Sequence, residues 1–468
     1  MDPDEVNKIE AEATQKKNYS GTEIPQGTEK SKLLDQQLTY VEVEEKVQQF
    51  LPNSRVALKL VLAVAASSSF QNPLMLWLLL VGVPSSGKTD IVRLVKDAPT
   101  SYYLDNLTQN SFISGERATK DNKVYDLLPL LDKKCFIVKD WTSIFSLDEK
   151  MTKKLLGDLV GIYDKEFAKF SSRRGNITYK SAFSQLGCIT PATLNKHAHY
   201  LNMVGPRFLC YIVPSSTQES EDQSYEMIFS EQDRAQLEGK ARSYASSYLN
   251  QLTKQSFNVK PLDNNIQMYL RIATGLMAKC RGIAILQSAT FKNEKGEDAT
   301  YYEVLEIQIE EPWRAIQQLM TLAKYLAFVV GKKEVGIEEL AVIKSVVLSS
   351  MPADRAGALK AIQSSDGQIT AKQLSESSDK STKTSRRLLD ELTALKVLSK
   401  IPGSGTTAND YQINKQFRNF LLLDPTEFLS YKEDSGTETP QSIDQLSRPE
   451  QLKASQNIFG LETKWNDE

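Results

Sequence analysis

The sequence predicts an α/β protein whose core is a parallel sheet flanked by helices. The chain has 468 residues, of which 40% are hydrophobic and 25% charged, as in an ordinary globular protein with several domains. Residues 74–81 form an unbroken apolar run, typical of a strand buried on both faces of a parallel sheet. A glycine-rich loop and a helical pattern follow this run. Strand-like and helical segments then alternate up to residue 214, which indicates an α/β layer structure.

Changes in composition divide the chain into five parts. Both ends are polar and poor in apolar residues, so we expect them to be disordered or mobile. The parts are a disordered amino-terminal segment (1–35), the α/β domain (36–214), a mostly helical domain with strands around 282–310 (215–350), a compact third domain (351–424) and an acidic tail (425–468).

Residues 82–89 carry the strongest chemical signal in the chain. In order they are Gly82, Val83, Pro84, Ser85, Ser86, Gly87, Lys88 and Thr89, a complete G-x-x-x-x-G-K-[ST] motif. Between a buried strand and a helix, such a loop wraps a triphosphate with its backbone N–H groups. We therefore expect it to bind ATP and Mg²⁺, with Lys88 on the β- and γ-phosphates and the Thr89 hydroxyl on the metal.

A second apolar run ends in a candidate residue for the metal shell. Residues 135–138 predict a strand, which Lys139, Asp140 and Trp141 follow. A phosphate-loop site needs a carboxylate at the end of a neighbouring strand, and Asp140 is the candidate. No glutamate follows it to polarise the attacking water. Either Asp140 belongs to the magnesium shell and the base lies elsewhere, or Asp140 is displaced into the position of the base.

Two further strand ends carry polar residues of interest. Residues 185–189 predict a buried strand, after which Thr190 is placed to lie beside the γ-phosphate; capping of the next helix is its simpler role. Arg207 lies between a Gly-Pro turn and an apolar strand pattern over 208–213. An arginine there is placed to cross a subunit boundary onto a neighbour's γ-phosphate, because its planar group is always charged.

This order of parts resembles the AAA+ ATPases, and more closely the MCM-type helicases and their relatives in phages and mobile elements. The resemblance covers roughly residues 40–424, and the loop at 82–89 is its most specific part. It implies an AAA+ P-loop NTPase core, a helical lid and a C-terminal winged-helix domain. It also implies an oligomer in which each nucleotide lies between two subunits.

In the family that the chain resembles, a β-hairpin after the acidic strand points into a central channel and tracks DNA. The matching segment is 166–180, with a turn expected at Arg174-Gly175-Asn176. Its basic residues have no acidic residue among them after Glu166, which favours contact with phosphates, although a solvated basic hairpin fits equally well. The basic residues are Lys169, Arg173, Arg174 and Lys180.

The resemblance also gives Arg314 the role of a second sensor arginine at the start of a lid helix. Pro312 suits the first turn of that helix, whose apolar positions continue to Ala327. Arg281 competes for either arginine role. An exposed arginine in a surface ion pair is the simpler interpretation of Arg314.

Residues 351–424 follow the order of a winged helix. The pattern predicts a helix at 354–364, a strand at 368–370, a helix at 371–377, a longer helix at about 382–397 and a hairpin over 400–413. The longer helix is expected to enter a major groove with its amino-terminal residues, among them Lys383, Arg386 and Arg387. Because winged helices also dock proteins, both kinds of partner stay open.

Charge and cysteine content restrict the function further. Lys and Arg total 57 against 59 Asp and Glu, giving a net charge of −2, so nucleic-acid binding requires a local basic patch. The four cysteines are far apart in sequence and indicate reduced thiols of a cytoplasmic protein.

We therefore expect an ATPase that couples hydrolysis to DNA remodelling or translocation, as a helicase or replication initiator of a mobile element. The expected partners are DNA and further copies of the chain in a homo-oligomer or hexameric ring. The missing glutamate after Asp140 favours an alternative, a slowly hydrolysing ATP-dependent switch or scaffold that recruits proteins. A transcription regulator that acts through the winged helix is a third hypothesis.

Overall fold

The computed structural model describes residues 37–117, 125–197, 204–229, 233–292, 298–403 and 408–430. The amino-terminal segment 1–35 and residues 431–468 of the expected tail lie outside the described residues. By its internal contacts the chain divides into two compact units. The first comprises the chain up to Asn264 together with Glu311–Gly357, and the second comprises Asn265–Glu310 together with the chain from Ala358.

The strands are numbered in chain order. They are β1 Trp77–Val81, β2 Ser101–Leu104, β3 Cys135–Val138, β4 Glu166–Ser171, β5 Gly175–Lys180, β6 Ser184–Ile189, β7 Phe208–Ile212, β8 Ile283–Lys292, β9 Asp298–Gln308, β10 Gln368–Thr370, β11 Leu398–Ile401 and β12 Asp410–Ile413.

The helices are numbered in the same way, and a short 3-10 helix covers Leu128–Leu131. They are α1 Tyr40–Gln48, α2 Arg55–Ser67, α3 Lys88–Arg93, α4 Thr142–Phe145, α5 Glu149–Ile162, α6 Pro191–Lys196, α7 Gln218–Phe229, α8 Arg234–Leu252, α9 Asn264–Arg281, α10 Trp313–Val329, α11 Ile337–Ser349, α12 Ala353–Ser364, α13 Ala371–Glu376, α14 Thr382–Ala394, α15 Lys415–Leu422 and α16 Pro425–Ser430.

The first unit is built on a five-stranded sheet of order β2-β3-β6-β1-β7. Every neighbouring pair in it is parallel, which confirms the predicted α/β core. Trp77 at the start of β1 is fully buried, and its ring lies 4.9 Å from Tyr163 and 5.1 Å from Phe208, centroid to centroid. The core therefore fixes the start of β1, while the carboxyl ends of β1, β6 and β3 lie together at the opposite edge.

The apolar run 74–81 forms a shorter strand than the pattern predicts. The Met75 carbonyl accepts a hydrogen bond from the Tyr163 hydroxyl at 2.9 Å, a side-chain partner instead of a strand partner. The strand begins at Trp77, after the Leu76 carbonyl has accepted from the Gln185 N–H of β6 at 3.0 Å. Among the described residues, no helix combines the length and hydropathy needed to cross a bilayer.

The range 215–350, predicted as one lid domain, is divided between the two units, because α9 and the antiparallel β8–β9 hairpin belong to the second unit. The Tyr269 ring of α9 packs on Phe420 and Phe428, at centroid distances of 5.1 and 4.9 Å. Phe428 lies on α16, so the tail expected from residue 425 begins with an ordered helix. Aromatic packing thus joins three segments that are distant in sequence.

The second unit also holds a three-stranded antiparallel sheet of order β10-β12-β11. Its elements follow one another as helix, strand, helix, helix, strand, strand from α12 to β12, the order expected from the sequence. The longer helix α14 ends at Ala394 and not near residue 397, because Leu395 is its carboxyl-terminal cap.

Candidate functional site

The loop after β1 has the backbone of an anion-binding turn. Ser85 and Gly87 both adopt left-handed conformations, with φ of 62° and 73°, and Gly87 begins α3. Left-handed residues within a turn aim successive N–H groups at one point. A Cβ on Gly82 would lie 2.5 Å from the Ser86 Oγ, so a side chain there would displace that hydroxyl.

The side chains of this loop fit a triphosphate. Lys88 is 8% exposed, and its Nζ donates to the Val83 carbonyl at 2.9 Å, which holds the ammonium group inside the loop. The Ser86 Oγ is buried and has no hydrogen-bond partner in the described part of the chain. The loop therefore combines a cation, an unused hydroxyl and converging N–H groups, which suit phosphate oxygens.

The register of the sheet brings Asp140 to the same edge. Val81 pairs with Ile189 on β6, and Val138 pairs with Gly187 on the other side of that strand. The Trp141 N–H then donates to the Cys188 carbonyl at 2.9 Å, which extends the ladder past Asp140. Because neighbouring strands are about 4.8 Å apart, Asp140 lies two strand spacings from the loop, or roughly 10 Å across the sheet.

The Cys188 thiol lies within electrostatic range of the predicted site residues on both strand ends. Burial raises the pKa of this thiol to about 12; the charge of Lys88 and a hydrogen bond with Thr89 lower it, and the charge of Asp140 raises it. The three residues expected to hold MgATP thus all act on one buried thiol, which donates to the Lys88 carbonyl at 3.2 Å. Two oxygen ligands from the protein suit Mg²⁺, which usually keeps several waters.

Trp141 occupies the position that the missing glutamate would take, and it belongs to the core. It is fully buried, and its ring lies 4.9 Å from Phe208, centroid to centroid. It supplies no carboxylate to the site. Asp140 is exposed, and its Oδ1 accepts from the Thr142 N–H at 2.9 Å, capping the short helix α4.

Thr190 lies at the carboxyl end of β6, beside the start of the loop, where the Gly82 N–H donates to the Ile189 carbonyl at 3.1 Å. Its hydroxyl caps α6 by accepting from the Thr193 N–H at 3.3 Å. It is therefore in the predicted place with its side chain engaged in the simpler role. Lys139 forms an ion pair with Asp105 at 2.7 Å and holds the pKa of that carboxyl below its usual range.

Arg207 and Arg314 lie together over one aromatic ring. Their guanidinium carbons are 5.6 and 5.7 Å from the centre of the Tyr163 ring. Gln318 fixes the arrangement, since its Nε2 donates to both the Arg207 carbonyl and the Tyr163 hydroxyl. Neither guanidinium forms an ion pair within the residues that the structure describes, and the Arg207 Nε is buried without a hydrogen-bond partner there.

This arginine pair forms no ion pair within the described residues and lies far from the loop of its own chain. Burial and the charge of Arg314 lower the pKa of Arg207, and the charge of Asp164 opposes them in part. The Arg207 Nη1 donates to the Val204 carbonyl at 2.6 Å. Arg207 precedes Phe208, which pairs with Trp77 at the start of β1, whereas the loop follows the end of that strand. At about 3.3 Å per residue, the loop lies roughly 20 Å away along the sheet. Arg281, the competing arginine, pairs with Glu310 at 3.5 Å in the second unit.

The predicted basic hairpin exists as β4 and β5, but its cations are largely neutralised. Arg174 pairs at 2.8 Å with Asp126, whose side chain is 4% exposed, and the Lys169 Nζ donates to the Ile113 carbonyl at 2.8 Å. Arg173 pairs with Glu116, and Lys180 pairs with Glu166 at 3.6 Å. Acidic residues from outside the hairpin therefore pair with Arg173 and Arg174, whereas Lys180 pairs with Glu166 of the hairpin itself.

The turn of the hairpin also differs from the prediction. Ser171 pairs with Gly175 and Phe170 with Asn176, so the turn consists of residues 172–174. Gly175 adopts a φ of 77°, which closes the turn one residue after Arg174. Arg173 and Lys180 keep exposed side chains, at 64% and 81%, whereas Lys169 and Arg174 point inward.

In the second unit, the predicted contact residues of α14 divide in the same way. Arg386 lies 3.9 Å from Asp390, whose Oδ1 also accepts from Lys400 and from the Tyr411 hydroxyl. Arg387 pairs with Glu391 at 3.3 Å but stays 56% exposed, and Lys383 is exposed. Arg386 therefore belongs to a packed network, while Lys383 and Arg387 face solvent.

Three residues that matter here were not among the sequence candidates for the site: Cys188, Tyr163 and Asp126. Cys188 was recognisable from its place in a strand beside the loop strand. Asp126 and Tyr163 carry no local signal, because their partners are distant in sequence.

The comparisons with known proteins identify neither a family nor an activity. No known family matches the chain, and no curated protein matches it. A solved structure from Cytophaga hutchinsonii, described as a candidate ATPase, matches with 14% identity and a TM-score of 0.37, over 69% of this chain and 87% of that chain. This similarity is too low to carry over an activity or a partner.

Proposed function

We propose that this chain binds MgATP and hydrolyses it within an oligomer that acts on DNA. The observation that carries the proposal is the sheet register, which brings the loop that holds Lys88 and Thr89 and the strand end that holds Asp140 to one edge of the parallel sheet. This is the set of residue types that a phosphate-loop ATPase requires.

When bound, MgATP supplies the phosphoanhydride bond and the metal charge that stabilises its oxygens. Lys88 would hold the β- and γ-oxygens, and the loop N–H groups would orient the phosphate chain. The Thr89 hydroxyl and the Asp140 carboxylate would orient the metal's water shell. Thr190, which borders the same edge, would lie beside the γ-phosphate.

Assembly is supported by the arginine pair. Arg207 lies roughly 20 Å from the loop of its own chain, Arg314 lies over the same Tyr163 ring, and neither forms an ion pair among the described residues. We assign both arginines to the γ-phosphate of a neighbouring copy. The interface between copies is then head-to-tail and closes into a ring, such as a hexamer. This arrangement, with the strand and loop order, favours an AAA+ ATPase resembling the MCM-type helicases of phages and mobile elements.

DNA as the partner is supported by the second unit. Its order of helices and strands is that of a winged helix, and Lys383 and Arg387 face solvent from the amino-terminal half of α14. Such residues are placed to meet a major groove. A helicase or replication initiator in the cytoplasm is the specific form of this proposal, and four free cysteines fit a reducing compartment.

A second candidate function has its own observation. The buried Trp141 occupies the position after Asp140, so this strand end supplies no general base. An ATP-dependent switch or scaffold that binds ATP tightly, hydrolyses it slowly and recruits proteins through the winged helix fits that feature.

Steady-state ATP turnover with and without DNA separates the two. The motor proposal expects turnover that DNA stimulates and that Lys88→Ala abolishes, whereas Lys150→Ala, an exposed lysine at the start of α5, leaves it intact. Tight ATP binding with negligible turnover in the wild type would favour the switch. Failure to bind ATP at all would overturn both.

A further inference from the structure

We propose that β9 is an edge strand that binds another protein by strand addition, and that the bound segment is an extended peptide in which apolar residues alternate with Lys or Arg. The site lies on the β8–β9 hairpin of the second unit and uses none of the residues assigned to ATP or to the major groove. The proposal goes beyond the proposed function and does not depend on it.

The outer edge of β9 is not covered by another strand. Within the described residues its sheet consists of β8 and β9 alone, and no backbone hydrogen bond there joins residues 303–309 to a further segment. All residues from 303 to 309 are exposed, whereas β8 includes half-buried positions. Proteins usually protect a long edge strand with Lys or Pro, and neither occurs between Asp298 and Gln308. The backbone donors and acceptors of this edge are therefore accessible to a partner strand.

One face of the hairpin beside this edge is apolar. Antiparallel partners lie on the same face of a sheet, so the pairs Ala284–Ile307 and Leu286–Val304 share one face. Val304 and Ile307 are 48% and 44% exposed there. Leu305, the extra residue at a bulge between the two pairs, is 59% exposed. Three large aliphatic side chains of one strand thus stay in contact with water until a partner covers them.

The opposite face carries negative charge. Glu306 pairs with Ile285 and Glu303 pairs with Gln287 across the strands, and both carboxylates are exposed. They accept hydrogen bonds from neutral side chains of β9, and neither forms an ion pair among the described residues. No Lys or Arg occurs at 283–290 or 301–310. The charge on this face is therefore uncompensated by the hairpin itself.

These two faces specify the chemistry of the bound segment. A strand added beside β9 would lie about 4.8 Å away, and its side chains would alternate between the same two faces. Residues beside Val304 and Ile307 must be apolar, because they cover aliphatic side chains. Residues beside Glu303 and Glu306 must be basic, because opposite charges on adjacent strands stabilise their pairing.

Other occupants fit this edge less well. A nucleic acid needs cations to bind its phosphates, and the hairpin has none at 283–290 or 301–310. A lipid surface would leave the backbone of the edge unpaired in an apolar medium. A second copy would bring its own Glu303 and Glu306 to the edge, and like charges on adjacent strands destabilise their pairing.

The experiment measures binding of fluorescent peptides to the full-length chain by anisotropy. The main probe is a peptide of about nine residues in which Lys and Val alternate. The control peptides replace Lys by Glu, group the same residues in blocks, or carry a methyl group on every peptide nitrogen. The protein variants are Glu306→Lys and, as a matched control, Glu226→Lys, since Glu226 is an exposed carboxylate on α7 of the first unit.

Glu306→Lys is expected to weaken binding of the Lys-Val peptide roughly 2- to 30-fold, because a cross-strand attraction becomes a repulsion. The same substitution is expected to strengthen binding of the Glu-Val peptide by a similar factor, and Glu226→Lys is expected to change neither. The block and methylated peptides are expected to bind the wild type more weakly than the Lys-Val peptide does. Bound Lys-Val peptide is expected to slow hydrogen exchange of the amides at 303–309.

No binding of the Lys-Val peptide, equal binding of the methylated peptide, or equal effects of the two protein variants would each overturn the inference. Self-association of the wild type that slows exchange at 303–309 would assign the edge to a second copy and would overturn it as well. Glu306→Lys is expected to bind ATP as the wild type does, so a failure of this inference would leave the ATPase proposal standing.

Discussion

Gly187→Ala tests the arrangement at the end of the acidic strand with a single methyl group. A Cβ at position 187 would lie 2.3 Å from Trp141 Nε1, 2.4 Å from Trp141 Cδ1 and 3.0 Å from a Leu79 methyl carbon. Gly187 pairs with Leu79 on β1 and with Val138 on β3, and Trp141 is fully buried. Neither side of the contact is able to move into solvent.

Overpacking of such a core costs roughly 1–3 kcal/mol of unfolding free energy. At roughly 2–4 °C per kcal/mol for a unit of this size, the expected fall in Tm is roughly 2–12 °C. A displaced Trp141 also moves its neighbour Asp140. ATP affinity is therefore expected to fall more in the presence of Mg²⁺ than in its absence.

The assay combines thermal unfolding by circular dichroism with ATP binding, with and without Mg²⁺. Gly157→Ala is the matched control, because nothing lies within 4 Å of a Cβ at this exposed position inside α5. That substitution is expected to stabilise the protein by roughly 0.5–1 kcal/mol, since alanine favours a helix. An unchanged Tm for Gly187→Ala, or the same fall for both variants, would refute the packing argument.

Three further predictions concern groups outside this strand end. Asp126→Asn is expected to lower the free energy of unfolding in urea by roughly 1–3 kcal/mol, because Arg174 loses its buried counter-charge. The control Glu116→Gln, at the exposed Arg173, is expected to change it by less than about 0.5 kcal/mol. Equal effects of the two substitutions would contradict this prediction. Lys383→Ala and Arg387→Ala are each expected to weaken duplex binding without a change in Tm. Arg386→Ala is expected to lower Tm, because Asp390 and Tyr411 lose a partner. An unchanged duplex affinity of the Lys383→Ala and Arg387→Ala variants would remove α14 from the DNA site. Burial raises the pKa of the Cys135 and Cys188 thiols from 9.0 to about 12. The unfolded chain therefore loses these protons at lower pH than the folded protein does, and the stability of the fold decreases as pH rises from about 9 to about 12. A Tm that stays constant from about pH 8 to about pH 11 would contradict this direction.

The parts of the fold that local patterns encode were predictable. The unbroken apolar run before Gly82 and the helical spacing after Thr89 specify strand, loop and helix, because each depends on neighbours in sequence. The element order from α12 to β12 was predictable for the same reason. The position of Asp140 followed from the rule that parallel strands end at one edge.

The state of the charged side chains was not predictable from local pattern. Arg174 lies 48 residues from Asp126 in sequence, and only the packing of β4 and β5 brings the two together. The grouping of α9 with the C-terminal elements depends on Tyr269 meeting Phe420 and Phe428, which no local pattern encodes. The packing of the Trp141 ring against Gly187 also depends on the fold, because the two residues lie on neighbouring strand ends.

The most direct test of the central claim is ATP turnover by mixtures of two variants. If each site takes Lys88 from one subunit and Arg207 from the next, Lys88→Ala and Arg207→Ala each abolish turnover alone. Mixing them and allowing subunits to exchange is expected to restore part of the wild-type rate, because an Arg207→Ala subunit followed by a Lys88→Ala subunit forms one intact site. Full activity of Arg207→Ala alone, or no recovery in mixed oligomers that still bind ATP, would contradict a site shared between subunits.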